Sequence, residues 1–473
     1  MSTRRSYVKT GLLAGGASLL GRLGFARPQH SPEQHGSPPA PAPPATPGPS
    51  SKAPALLRKR GRLPYTPVVT PNGSTLPWVM RSGVKEFHLV AEPVKREFAP
   101  GMLVNAWGYN GQTPGPTIEA VEGDRVRILV TNKLAEHTSI HWHGIFLPAG
   151  MDGVGGLNQP QIKPGETYAY EFTLRQHGTH MYHPHADEMV QMAMGMMGFL
   201  VIHPKDPERH VDRDFCIFTH MWFVEPGTMT PNTAVMLDFN IFTFNSRAFP
   251  GIDPLVCRKG DRVRIRLANV SMTDHPIHIH GHRFWVVETD GGQIPESGWW
   301  PETTLNIMPG TTRAVEFVAD YPGDWALHCH KNHHVMNAMG HDIPNVIGVD
   351  QNEVAKKIAA LVPGYMAMGS SGMAEHAEHS KHMAGLPNTL PMMTGTGPFG
   401  PIEMGGMFTV MKVREDLAPG DYKDPGWYKH PPGTVAYAVD TGSAGAPARQ
   451  PNAGESPGME MPMEPGGGHQ HHH

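Results

Sequence analysis

The stretch HCHKNHHVMNAMG, residues 328–340, places four histidines, a cysteine and two methionines within thirteen positions. Imidazole nitrogen and soft sulfur side by side are metal donors. Three other segments share its H-x-H spacing: HWH at 141–143, HPH at 183–185 and HIH at 278–280. Along a strand, residues i and i+2 face the same way, so each H-x-H aims two imidazoles at one place and its middle residue at the other side. Eight imidazoles are too many for one ion and suit a cluster of about three, and imidazole accepts copper, zinc and iron alike.

Cys329 narrows the metal. As the middle residue of HCH its sulfur leaves the strand opposite to His328 and His330. His334 lies five residues on, Met339 five beyond that, and His275 three before His278 in HPIHIH. One Cys, two His and a distant Met form the donor set of a blue-copper electron-transfer centre. Zinc is the rival for Cys/His-rich loops, but it has no redox role to set beside a cysteine flanked by cluster-facing histidines. HGTH (177–180), HAEH (376–379) and the terminal HQHHH have no such context and read as surface or tag-like sequence.

The elements that position these residues come from a repeat. GDRVRILVTN begins at Gly123 and GDRVRIRLAN at Gly260, and an H-x-H follows each glycine by eighteen residues. PGETYAYEF at Pro164 and PGTTRAVEF at Pro309 form a second pair of anchors, with HPH and HCH eighteen residues after Gly165 and Gly310. This is an internal duplication. The anchors alternate or are β-branched between Gly, Pro and Asn, and no sustained helical period interrupts them. An all-β protein follows, with two Greek-key sandwiches or barrels at 58–205 and 206–350. By offset, the first-half counterparts of His275, Cys329, His334 and Met339 are Thr138, Pro184, Met189 and Met194. They include no thiolate or imidazole, so one blue copper is expected, in the second half.

Outside the repeat, residues 1–57 open with TRRSYVK and a short apolar run, the pattern of a twin-arginine export signal, and continue as a Pro-rich linker. Export to the periplasm or cell surface is the expectation. No run reaches the ~18–20 apolar residues of a membrane span, and 39 Lys+Arg against 43 Asp+Glu ask for no nucleic acid or anionic membrane. Three cysteines cannot build a disulfide framework, and Cys216 and Cys257 could pair or stay as buried thiols. Methionine clusters at 189, 192, 194, 196 and 197, and residues 351–473 form a Met/His-rich extension whose FTVMKV reads as a strand packed on the body. Such a Met stripe is usually core filler, yet exposed thioethers also favour Cu(I). Asp152, in MDGVGG after the HWH arm, is the candidate proton donor to a reducing centre, although Asp-Gly is also a common turn.

Taken in order and spacing, HWHG, GTHMYHPH, HPIHIHGH and HCHKNHHVMNAM resemble the four copper motifs of the multicopper oxidases, over roughly residues 85–350. The resemblance implies cupredoxin-like Greek-key domains and about four coppers per chain. It assigns a type 1 copper to His275, Cys329, His334 and Met339. It assigns type 2 to His141 and His278, and the type 3 pair to His143, His183, His185, His280, His328 and His330. It implies oxidation of a reductant one electron at a time, coupled to reduction of dioxygen to water. Two motif-bearing halves instead of three resemble the two-domain members, which are homotrimers with the cluster between subunits. Cu(I) is the favoured reductant and phenols are also possible. The alternatives are a laccase-like phenol oxidase, a Mn(II) or Fe(II) oxidase, or, outside enzymes, a periplasmic copper-binding protein. A copper nitrite reductase is disfavoured, because it needs the type 1 cysteine in the first half, where Pro184 stands.

Overall fold

The two pairs of anchors meet each other across antiparallel ladders. In a computed structural model, which describes residues 65–337, 395–418, 420–439 and a few positions between 353 and 390, strand Arg125–Asn132 pairs with Thr167–Thr173 and strand Arg262–Asn269 with Thr311–Val318. The register is the same in both. Arg127 faces Glu171 and Arg264 faces Glu316, with ion pairs of 2.7 Å and 2.5 Å. Such a directly opposed pair contributes roughly 0.2–1 kcal/mol and fixes the register.

Each half is a two-layered β-sandwich, because alternating apolar residues of two sheets must cover one another. In the first half a five-stranded sheet built on Val84–Ala99 and Arg125–Asn132 packs on a four-stranded sheet ordered Gly115–Val121, Gly198–His203, Gly178–His183, His141–His143. Phe87, Leu89, Ile128, Trp142 and Tyr182 fill the space between them. In the second half an eight-stranded sheet containing Arg213–Trp222, Arg262–Asn269, Thr311–Val318 and Phe284–Thr289 faces a five-stranded one. The latter runs Leu255–Arg258, Phe408–Arg414, Gly323–Cys329, His275–Ile279, Thr304–Ile307.

FTVMKV is thus a strand, as expected, but one placed inside the second-half sheet, with every residue from Phe408 to Arg414 buried. A division at residue 350 leaves this strand outside the sandwich to which it is hydrogen-bonded. A third core joins the halves, where Phe98, Met197 and Phe199 meet Cys216, Phe218 and Trp222. Cys216 and Cys257 are both buried free thiols, in different cores, which closes the pairing question. Burial raises both thiols above their ordinary range. Among the described residues no helix is long and apolar enough to cross a membrane. The export-signal residues, HAEH, HQHHH and most of the Met/His-rich extension lie outside the described residues.

Candidate metal centre

Strand His275–Ile279 alternates buried and half-buried, so His275 points into the sandwich and His278 out of it. Ile277 of that strand pairs with Cys329, and His278 with His328. The sulfur of Cys329 therefore enters the core with His275, while His328 goes out with His278. His334 reaches the same interior point from the short 3-10 turn Asn332–Val335. That turn is pinned from the C-terminal segment, where Met407 N–H donates to the His334 carbonyl and Gly405 N–H to that of Val335. Gly406 has φ 55°, and a Cβ there would collide with the His334 carbonyl oxygen, so the close approach requires glycine.

His275, Cys329 and His334 are each fully buried. His275 Nδ1 lies 3.1 Å from His334 Nδ1, and Cys329 Sγ lies 3.8 Å from the former and 3.3 Å from the latter. Burial pushes the Cys329 thiol up to about 12, and burial, then the Lys331 charge, pulls His275 down to about 3. One sulfur and two imidazole nitrogens converging on a dry point, with the thiol held protonated, fit a copper ion: only a bound cation supports the thiolate there. Met339, expected as the fourth donor, lies outside the described residues.

Two imidazole groups occupy the outward faces. His141 centres the first, with ring centroids 5.5, 5.4 and 5.7 Å from His143, His183 and His185. His278 centres the second, at 4.8, 5.7 and 5.4 Å from His280, His328 and His330. The matching comes from register, since His141 pairs with His183 as His278 pairs with His328. In each group two rings have Nδ1 engaged by a backbone carbonyl. His141 Nδ1 donates to the Asp152 carbonyl at 2.9 Å and His278 Nδ1 to that of Thr303 at 2.7 Å. His183 and His328 each bond the carbonyl of the next residue, at 3.0 and 2.8 Å. Each such bond leaves Nε2 with its lone pair toward the group, the usual way a ligating imidazole is oriented. Every imidazole–imidazole contact of these eight rings falls within its own group, and His280 and His330 are exposed.

Asp152 sits where its carbonyl holds His141, with one carboxylate oxygen 3.4 Å from Nδ1 of the same ring. The next residue, Gly153, has φ 92°, and a Cβ there would run into the Ile140 carbonyl. The Asp-Gly turn and the contact with the imidazole are thus one structure.

Ser271 was not among the residues singled out from sequence. Asn269 Nδ2 donates to the carbonyls of Thr273 and Ile307, which fixes the amide so that Oδ1 accepts from the Ser271 hydroxyl at 2.6 Å. With its proton given to Asn269, Ser271 accepts from His275 Nε2–H at 2.8 Å. His275 is left with its Nδ1 lone pair facing Cys329. The signal was present in the repeat: Asn132 makes the same two carbonyl bonds in the first half, and Leu134 stands where Ser271 does. The methionine run divides, with Met194 buried and Met196 and Met197 in the hydrophobic cores, while Met189 is exposed.

With this geometry in place, two family models, both described as multicopper oxidase, match residues 91–207 and 224–347, together about half of the chain. The chain belongs to the multicopper oxidase family. It is 30% identical over 298 residues to a probable nitrite reductase-hydroxylamine oxidoreductase fusion protein of Kuenenia stuttgartiensis, covering 60% of this chain and 33% of that one. It is 44% identical over 114 residues to copper resistance protein A of Escherichia coli, covering 24% of this chain and 18% of that one. It spans a third or less of these curated relatives. The solved multicopper oxidase mgLAC is 27% identical, with a TM-score of 0.52, covering 72% of this chain and 91% of that one.

Proposed function

We propose that the protein is an exported oxidase that takes single electrons from Cu(I), and from phenols, and delivers four of them to dioxygen. The observation that carries this reading is the placement of Cys329 between two sites. Its sulfur meets His275 and His334 inside the sandwich, while its neighbours His328 and His330 belong to the outward imidazole group. His275, Cys329, His334 and Met339 are the type 1 ligands in this reading, His141 and His278 the type 2 ligands, and His143, His183, His185, His280, His328 and His330 the type 3 ligands. Copper held there supplies the one-electron chemistry and the binding of dioxygen. The chain's own residues orient it. Asp152, Thr303 and the carbonyls after His183 and His328 fix the tautomers, and the Asp152 carboxylate beside His141 is placed to pass protons toward oxygen.

The separation of the two imidazole groups, and the exposure of His280 and His330, support a cluster completed between subunits of a homotrimer. Sedimentation of the copper-loaded protein tests it, and a monomer with a full complement of copper overturns it. The likeness to a protein named for copper resistance supports Cu(I) as reductant, and TRRSYVK supports export to the periplasm or cell surface. The likeness to a nitrite reductase fusion protein does not redirect the reading, because Pro184 stands where that chemistry needs cysteine. Oxygen uptake by the copper-loaded protein, with Cu(I) and a methoxyphenol side by side and Cys329→Ser as blank, decides the substrate. Uptake with Cu(I), absent in the blank, is expected. Uptake with the phenol alone makes the enzyme laccase-like, and uptake with neither overturns the reading.

A further inference from the structure

A cleft of about 840 Å³ opens on the eight-stranded sheet of the second half, a volume that accommodates a whole small organic molecule. Arg262 pairs with Val318 and Trp285 with Glu316, so its floor spans three neighbouring strands. The parity that buries Val263, Val315 and Val286 in the core puts Arg262, Glu316 and Trp285 on the cleft side. Three rings form its walls: Trp285 from the sheet, Trp299 after the short turn Glu296–Gly298, and Tyr321, 53% exposed, from the loop beyond Val318. The Arg209 guanidinium lies 4.1 Å from the Trp299 ring centre and that of Arg283 5.2 Å from the Trp285 ring centre, which holds both indoles in place.

A second observation points to a ligand. His282 lines the cleft, is 6% exposed, and has Nδ1 3.3 Å from the His280 carbonyl while Nε2 bonds nothing. The rings of Phe317, Tyr321 and Trp325 hold it at 5.3, 5.8 and 5.6 Å. Glu316, 1% exposed, accepts from Arg264 at Oε1, but its Oε2 makes no hydrogen bond and has only long ion pairs, 3.6 Å to Arg262 and 3.9 Å to Arg209. Buried polar atoms are nearly all hydrogen-bonded, so two such atoms at one cleft call for an explanation. The missing partner is not a cation, because three guanidinium groups already surround Glu316. A neutral hydroxyl, which both donates and accepts, suits the carboxylate oxygen and the imidazole nitrogen alike.

We propose that this cleft binds a short neutral oligosaccharide, whose apolar ring faces lie on Trp285, Trp299 and Tyr321 and whose hydroxyls bond His282 and Glu316. A sugar unit has an apolar face and a rim of hydroxyls, which matches aromatic walls alternating with polar groups. A phenol fits less well: its few hydroxyls leave most of Arg262, Arg283, Glu296 and Asp320 without a partner. The floor strands belong to the eight-stranded sheet, whereas Cys329 lies in the five-stranded one. Sugar bound here is therefore held and not oxidised, and the site attaches the protein to a glycan whatever its reductant proves to be.

The test is calorimetric titration of the full-length, copper-loaded protein with maltotriose, cellotriose and triacetylchitotriose, and with a methoxyphenol for comparison. Saturable binding of at least one of the sugars is expected, with Kd raised about tenfold or more in Trp299→Ala. Visible absorption from the Cys329 centre verifies that the variant is folded. Should Trp299→Ala lack that absorption, Tyr321→Ala, at the exposed rim, carries the same comparison. Binding of none of the sugars overturns the site, and so does binding that the folded variant leaves unchanged. Heat from the methoxyphenol alone, lost in the variant, overturns it in favour of an aromatic ligand. None of these outcomes touches the oxidase reading, which oxygen uptake decides separately.

Discussion

The two halves share their scaffold and differ in what it holds. Asn132 and Asn269 tie the same loop with the same pair of carbonyl bonds. After that loop the second half presents Ser271, His275, Cys329 and His334 around one dry point. The first half presents Leu134, Thr138, Pro184 and Met189 at the matching positions. There, Thr138 donates to Gln191 at 2.7 Å and Gln191 to the His137 carbonyl, so the interior polar groups satisfy one another. A sandwich of this kind tolerates either a metal-binding trio or a closed hydrogen-bonded plug at the same address. The outward imidazole groups, by contrast, are kept in both halves. The duplication retained the surface site twice and the interior site once.

Cys329→Ser is expected to break the contrast most severely. It removes the donor that separates the halves, and turnover should fall beyond the roughly 10–100-fold that loss of an outer partner costs, together with the visible absorption. Persistence of both sinks the interior assignment.

A second difference lies at the joint. Arg266 occupies the repeat position that is Leu129 in the first half, is fully buried, and forks onto Asp214 at 2.8 and 2.9 Å while reaching Thr179 of the first half. Arg266→Leu restores the repeat but strands Asp214 and Glu288, and should cost about 3–5 kcal/mol in urea unfolding. Burial would raise the Glu288 carboxyl, but Arg266 and Arg264 outweigh it and hold the group at about 2, below its ordinary 4.5. The sign follows: this group's stabilisation is complete above about pH 4.5 and is lost as pH falls toward 2. In Arg266→Leu that acid-side loss should vanish, and an unchanged acid limb of the stability curve refutes the pairing.

Ser271→Ala gives the second half the apolar character of Leu134. Copper should bind the Cys329 pocket about tenfold more weakly and with a shifted absorption; titration with an unshifted spectrum would make Ser271 mere packing. Smallest of the four, Gln191→Ala opens the first-half plug. It should cost about 1 kcal/mol and leave the absorption spectrum as it was.

Much of this was legible before any coordinates. Matched anchors at a fixed offset gave the strands, their pairing and the parity that sends Cys329 inward and His328 outward, because side-chain direction in a strand follows from position alone. Other features depended on distance in space. Nothing local distinguishes Met189, exposed, from Met196, in the core. The partners of Arg266 lie far from it in sequence. Ser271 was readable only by asking where the two copies differ, not where they agree.

The strand Phe408–Arg414 has one more consequence. It lies beside Gly323–Cys329, and Cys329 N–H donates to the Met407 carbonyl. The cysteine arm therefore gains its neighbour only when the ribosome has made roughly eighty further residues. The first sandwich has all its own strands by residue 203, while the thiol pocket stays unwalled until the strand ending at Arg414 has been made. Timing of this kind puts metal acquisition after that strand has been made, and leaves the sulfur of Cys329 among the core groups that are enclosed late.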